Sequence, residues 1–69
     1  MTKAEILNEI CDTRVASRLA LKKKEYIESS AHDRVTDRLI KNAQDMGIGW
    51  DEIKSELEFA EWLTKDYVK

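Results

Sequence analysis

Residues 50–68, WDEIKSELEFAEWLTKDYV, carry the clearest helical spacing in this 69-residue chain. At about 100° per residue, Leu63, Tyr67, Ala60, Ile53, Leu57 and Trp50 share one sector, with Phe59 on its border. Trp62 falls on the opposite side, among Asp51, Ser55 and Glu58. One face of the segment predicts a core. The other points a large indole toward solvent.

Immediately upstream, Gly47 and Gly49 are the only glycines of a chain with no proline. One strong break in an otherwise helical sequence follows. Nothing alternates with period 2 and no hairpin dipeptide is present, so no strand is expected. The helix before the break is predicted over about 30–46, opened by Ser30-Ala31-His32-Asp33, a capping box with aspartate in the glutamate's place. Val35, Leu39, Ala43 and Met46 line its expected buried side, with Ala31 and Ile40 at the edges. Gly47 is placed to end it in the left-handed conformation, with Ile48 tucked under the turn.

A first helix starts at the capping box Thr2-Lys3-Ala4-Glu5, and helical signal continues to about Glu28. Its apolar face changes direction at Asp12-Thr13. Ile6, Leu7, Ile10 and Cys11 define one side, and Val15, Ala16, Leu19, Ala20, Tyr26 and Ile27 another. Either the helix breaks there, or one long helix serves two neighbours. Unbroken, it would be roughly 40 Å long and would overhang the later helices, which implies a partner subunit. The fold class is therefore all-α, a small three- or four-helix bundle in a single domain spanning 1–69.

A chain this short buries only roughly 60% of its unfolded surface and rarely holds more than about 3–5 kcal/mol of stability alone. The single cysteine, Cys11, excludes an internal disulfide, and His32 is the only histidine, so no structural metal is expected. Self-association is the remaining common route, and a homodimer or other homo-oligomer is expected. The net charge is −2, but residues 1–44 carry nine basic and seven acidic side chains, and residues 45–69 three and seven. That polarity would orient a partner or pair subunits head to tail. No apolar run approaches the roughly 18–20 residues of a membrane span, and a lone thiol suits a reducing, cytoplasmic setting.

Catalysis is poorly served. There is no phosphate-cradling glycine loop, HExxH or CxxC, and nothing in the sequence links Cys11 to His32. No cofactor and no small-molecule substrate are expected. Two features point toward nucleic acid. Arg14, Arg18 and Lys22 form a row at i, i+4 spacing, matched by Arg34, Arg38 and Lys41 on the next helix. The corner Ala43–Ile53 also has spacing similar to a helix-turn-helix, although the turns that would meet DNA carry Asp51, Glu52, Glu56 and Glu58. Protein recognition fits better. Trp62, flanked by Glu58, Phe59 and Lys65, makes an aromatic patch of the kind that dominates interfaces. The competing expectation packs Trp62 against Ile6 and Ile10 of the first segment. In a dimer both would hold, one subunit's Ile6 and Ile10 capping the other's last helix. The expected function is a non-catalytic interaction module that regulates, adapts or inhibits a partner protein, in the manner of small bacterial or phage regulators. Alternatives are a nucleic-acid-associated regulator and a self-assembling structural protein.

Overall fold

A computed structural model describes residues 1–65 as three α-helices, α1 (Lys3–Lys22), α2 (Tyr26–Asp45) and α3 (Trp50–Thr64), with no strand among them. The expected extension of the last helix to Val68, and the core place given to Tyr67, lie outside the described residues.

The capping box forms as read. Glu5 N–H donates to Thr2 Oγ1 and Thr2 N–H to Glu5 Oε1, each at 3.2 Å. The hydrogen bond from the Thr2 backbone, then that from its side chain, holds the Glu5 carboxyl below its ordinary 4.5. A lowered carboxylate stabilises the folded form above its unfolded pKa, and the gain is lost as pH falls through the folded value. The protection factors of amides in the first turn of α1, with the intrinsic pH dependence of exchange divided out, are therefore expected to fall as pH drops below 4.5, ahead of that at Ile10. An equal loss of protection at both sites would remove the cap as the cause.

α1 does not break at Asp12-Thr13. Thr13 stays helical and donates its hydroxyl to Ile10 O at 3.2 Å, which satisfies it inside the helix. The break comes instead at Lys23-Lys24-Glu25, in place of the boundary expected at Ser29-Ser30. Glu25 N–H donates to Ala20 O (2.9 Å) and Lys24 N–H to Leu21 O (3.0 Å), the two bonds of a Schellman turn. Lys24 carries the required left-handed conformation, φ +61°. A lysine in the usual glycine position hides the stop from sequence. At 20 residues, α1 is about 30 Å long. The overhang that would have called for a second subunit does not exist.

Lys24→Gly is expected to stabilise the fold by about 0.5–1 kcal/mol, because glycine removes the Cβ clash of this conformation and gives back part of the gain as unfolded-state entropy. A urea midpoint that stays put or falls would contradict the strain assigned to Lys24. The second break is the same turn with the expected residue. Ile48 N–H donates to Ala43 O (3.0 Å) and Gly47 N–H to Gln44 O (2.9 Å), with Gly47 at φ +87°. Here Ile48 is buried with Ala43, the apolar contact that accompanies such turns.

α1 is the central element. α2 returns antiparallel to it, and α3 runs parallel to it, as the ion pairs Lys3–Glu52 (2.7 Å) and Arg18–Glu61 (2.5 Å) show. α2 and α3 touch each other at only a few residues, near their connecting corner. Apart from the buried alanines Ala20 and Ala60, the apolar core lies at the end where all three helices meet. It consists of Ile6, Ile10, Leu39, Ala43, Ile48 and Ile53, flanked by Leu7, Ile40 and Leu57.

Toward the other end the α1–α2 contact is polar. Thr36 donates to Thr13 Oγ1 (2.7 Å), and Ser17 Oγ lies 3.2 Å from Ser29 Oγ and 2.6 Å from Asp33 Oδ1. Ser17 has one hydroxyl proton, and the short, charge-assisted contact to Asp33 takes it. These small buried hydroxyls turn α2 away from the expected line. Ser29, Thr36, Leu39 and Ala43 face inward, while Ala31, Val35 and Met46 are exposed.

Candidate protein-binding surface

α3 rests on α1 through Ile53, Ala60 and Thr64, at i, i+7 and i+11, with Leu57 half-buried between them. Thr64 enters this line because its hydroxyl donates to Ala60 O at 3.0 Å, leaving its methyl to pack. Two residues placed in the core by sequence lie outside it. Trp50 opens α3 at the corner and is half-exposed, and Leu63 is exposed where α1 alone lies against α3.

The opposite face of α3 is aromatic. Phe59 and Trp62 are 49% and 57% exposed. Their rings stack with centroids 5.9 Å apart and planes 13° from parallel. Lys65 Nζ stands 5.7 Å from the centroid of the Trp62 ring on the adjoining turn. Such cation–π and stacking contacts fix the indole without covering it. Glu58 is exposed beside them. The structure thus brings Trp62, Phe59, Glu58 and Lys65 together on one helix face.

Ile6 and Ile10 do not join them. Both are buried against Leu39, Ala43, Ile48 and Ile53. The change in direction of the apolar face along α1 instead directs them to α2 and α3 of the same chain. They are correspondingly closed to any partner, and Trp62 is not their lid.

The six basic residues divide. Arg14 reaches Asp33 of α2 (3.3 Å) and Glu61 of α3 (3.6 Å), and Arg18 pairs with Glu61 at 2.5 Å. Both guanidiniums are spent on holding the three helices together where apolar packing has run out. Arg34, Arg38 and Lys41 are exposed along α2, whereas Lys22 is partly buried near the end of α1. The two rows therefore do not merge into one phosphate-binding strip. At the helix corner, Ala43, Ile48 and Ile53 are buried and Asp51 and Glu52 exposed, so the glycine turn serves helix packing and presents acid outward.

Cys11 is buried on α1; desolvation, then the nearby Glu56 and Asp12 carboxylates, push its thiol above the ordinary value and disfavour the thiolate. His32 is half-buried on α2, and its carbonyl oxygen lies 2.9 Å from the Thr36 hydroxyl oxygen. Among the described residues no group of His, Cys, Asp and Glu is arranged to hold a metal, and no helix is long and apolar enough to cross a membrane. An open cleft of 490 Å³ lies between α1 and α3, lined by Arg18, Leu21, Lys22, Glu61, Thr64 and Lys65.

One feature departs from the sequence reading. Tyr26 and Ile27, read as part of the apolar side of a long first helix, begin α2 and project outward, Ile27 at 87% exposure. With Ala31 and Val35 exposed on the same helix, Ile27 makes an i, i+4, i+8 apolar row. The signal was present in the run Lys22-Lys23-Lys24, since cations favour the last turn of a helix and mark its end.

Comparison with protein-family models, with curated proteins and with solved structures gives no match.

Proposed function

We propose that this chain is a non-catalytic interaction module that binds protein through the aromatic face of α3. The observation that carries the reading is the stacked, exposed Phe59–Trp62 pair on the side of α3 turned away from α1. An indole and a phenyl held by each other and by Lys65 offer large apolar area with little rotamer entropy left to lose. The chain acts by occupancy, as a preformed helical surface that covers part of another protein and excludes its other ligands.

A photo-reactive phenylalanine analogue at position 59 tests this against the same analogue at Glu9, an exposed position on α1. In lysate of the native host, or with the chain alone, position 59 is expected to give a discrete protein adduct that position 9 does not. Indistinguishable adducts, or none, would overturn the reading.

The nucleic-acid alternative is favoured by one observation, the exposed Arg34, Arg38 and Lys41 row. It expects retention on DNA or RNA at low salt, with log K falling by about 0.9 per decade of salt for each phosphate neutralised. With Arg14 and Arg18 engaged in ion pairs, that slope reports no more than three contacts.

A further inference from the structure

We propose that the second half of α3, residues 58–64, is a strap that opens as one unit ahead of the rest of the fold, and that Glu61, gripping Arg14 and Arg18 of α1, is the latch that holds it shut. The two halves of α3 are docked by different means. The first buries Ile53 fully in the apolar core, with Leu57 packed against it. In the second, among the described residues, only Ala60 and Thr64 are buried, and Glu58, Phe59, Glu61, Trp62 and Leu63 are exposed. An alanine and a threonine bring little apolar area to α1. The Thr64 hydroxyl donates within its own helix, to Ala60 O at 3.0 Å. Beside Arg18, Glu61 and Thr64 the open cleft of 490 Å³ parts the two helices, so packing there is loose.

Charge is what bridges the helices at this level. Glu61 takes both guanidiniums, 3.6 Å from Arg14 and 2.5 Å from Arg18, and Arg14 also reaches Asp33 of α2 at 3.3 Å. The two arginine side chains are 27% and 36% exposed, so these pairs are screened less than those of an open surface. The same carboxylate is out of place in its own helix. Glu61 lies in the last turn of α3, where the macrodipole favours cations, and that turn holds no basic residue. Lifted off α1, the turn keeps an acid that its own backbone disfavours, so undocking and unwinding go together. α2 gives no second hold, since it meets α3 only near the corner.

Phe59 and Trp62 ride on the strap, and helical i, i+3 spacing makes their stack. Opening therefore dismantles the aromatic face, and the latch sets the fraction of chains in which that face is formed. Salt, or an anion that competes for Arg14 and Arg18, loosens it. This consequence rests on the reading of α3 as a binding face; the latch does not, and is tested on the chain alone.

Native-state hydrogen exchange, followed amide by amide, separates a latched strap from a helix end that merely frays. Amides 59–64 should share one opening free energy, below that of Ile53 and Ile10. Glu61→Gln should lower their protection factors about fivefold and leave Ile53 and Ile10 unchanged. Glu58→Gln is the matched control. It removes the same charge from an exposed site on the same helix and should not lower them. The dipole sharpens the contrast, because on its own it tightens the helix end when either acid is removed. At about 1 M salt, where screening acts within about 3 Å, amides 59–64 of the unaltered chain should approach those of Glu61→Gln, which should itself respond little.

Circular dichroism checks that each variant keeps its helix. Should Glu61→Gln lose it, Arg18→Gln replaces it, leaving Arg14 on Glu61, with a fall of about twofold at the same amides. Protection that declines residue by residue toward Thr64, or strap amides as protected as Ile53, would overturn the latch. So would equal effects of Glu61→Gln and Glu58→Gln, or a salt response that survives in Glu61→Gln.

Discussion

Ile10→Ala is expected to leave the domain largely unfolded at 25 °C. Ile10 is fully buried in a cluster of six buried apolar residues among the described ones, with Ile6, with Leu39 and Ala43 of α2, with Ile48 of the corner and with Ile53 of α3. Removing three carbons from such a site costs about 2–5 kcal/mol, since the lost transfer energy is joined by that of the cavity left behind. A domain of this size holds about 3–5 kcal/mol in all. The substitution therefore consumes most or all of the stability, and far-UV circular dichroism in a urea series would show it. Ile27→Ala is the matched control. It removes the same atoms from an 87% exposed site and is expected to move stability by no more than about 0.5 kcal/mol. A loss under about 1 kcal/mol at Ile10 would mean that the hydroxyl and ion-pair end, rather than the apolar end, carries the fold.

That division also explains which parts of the structure the sequence revealed. The capping box at Thr2–Glu5, the glycine turn at Gly47 and the tuck of Ile48 were legible because each uses the residue that its local geometry favours. The stop at Lys24 was not, because the left-handed position is filled by a lysine that carries strain. The phase of α2 was misread for a different reason. Apolar periodicity assigned Val35 inward, yet Thr36 and Ser29 take the inner line because Thr13 and Ser17 of α1 satisfy their hydroxyls. Periodicity sees hydrophobicity and is blind to a buried polar pair whose two halves lie 23 residues apart. For the surface, the outward turn of Trp62 was readable from α3 alone. The fate of Ile6 and Ile10 was not, since it depends on two other helices reaching the same end of α1.

Trp62→Ala is expected to leave the melting temperature nearly unchanged and to weaken binding at the α3 face by about 2 kcal/mol or more. The indole is 57% exposed and touches Phe59 and Lys65, all on its own helix. Truncation therefore opens no cavity between helices. Its removal frees Phe59 and Lys65 to move, so the partner meets a surface that is smaller and less ordered, and both changes count against affinity. Fluorescence separates this from a structural role. Both indoles are half-exposed or more, so the free chain should emit at the red end of the tryptophan range and be quenched by iodide. In a Trp50→Phe background the remaining emission belongs to Trp62, and it should shift blue and lose quenching on association. A blue-shifted, unquenched Trp62 in the dilute chain would place the indole inside the fold. In that case the face would not be preformed, and α3 would have no unoccupied aromatic surface to offer.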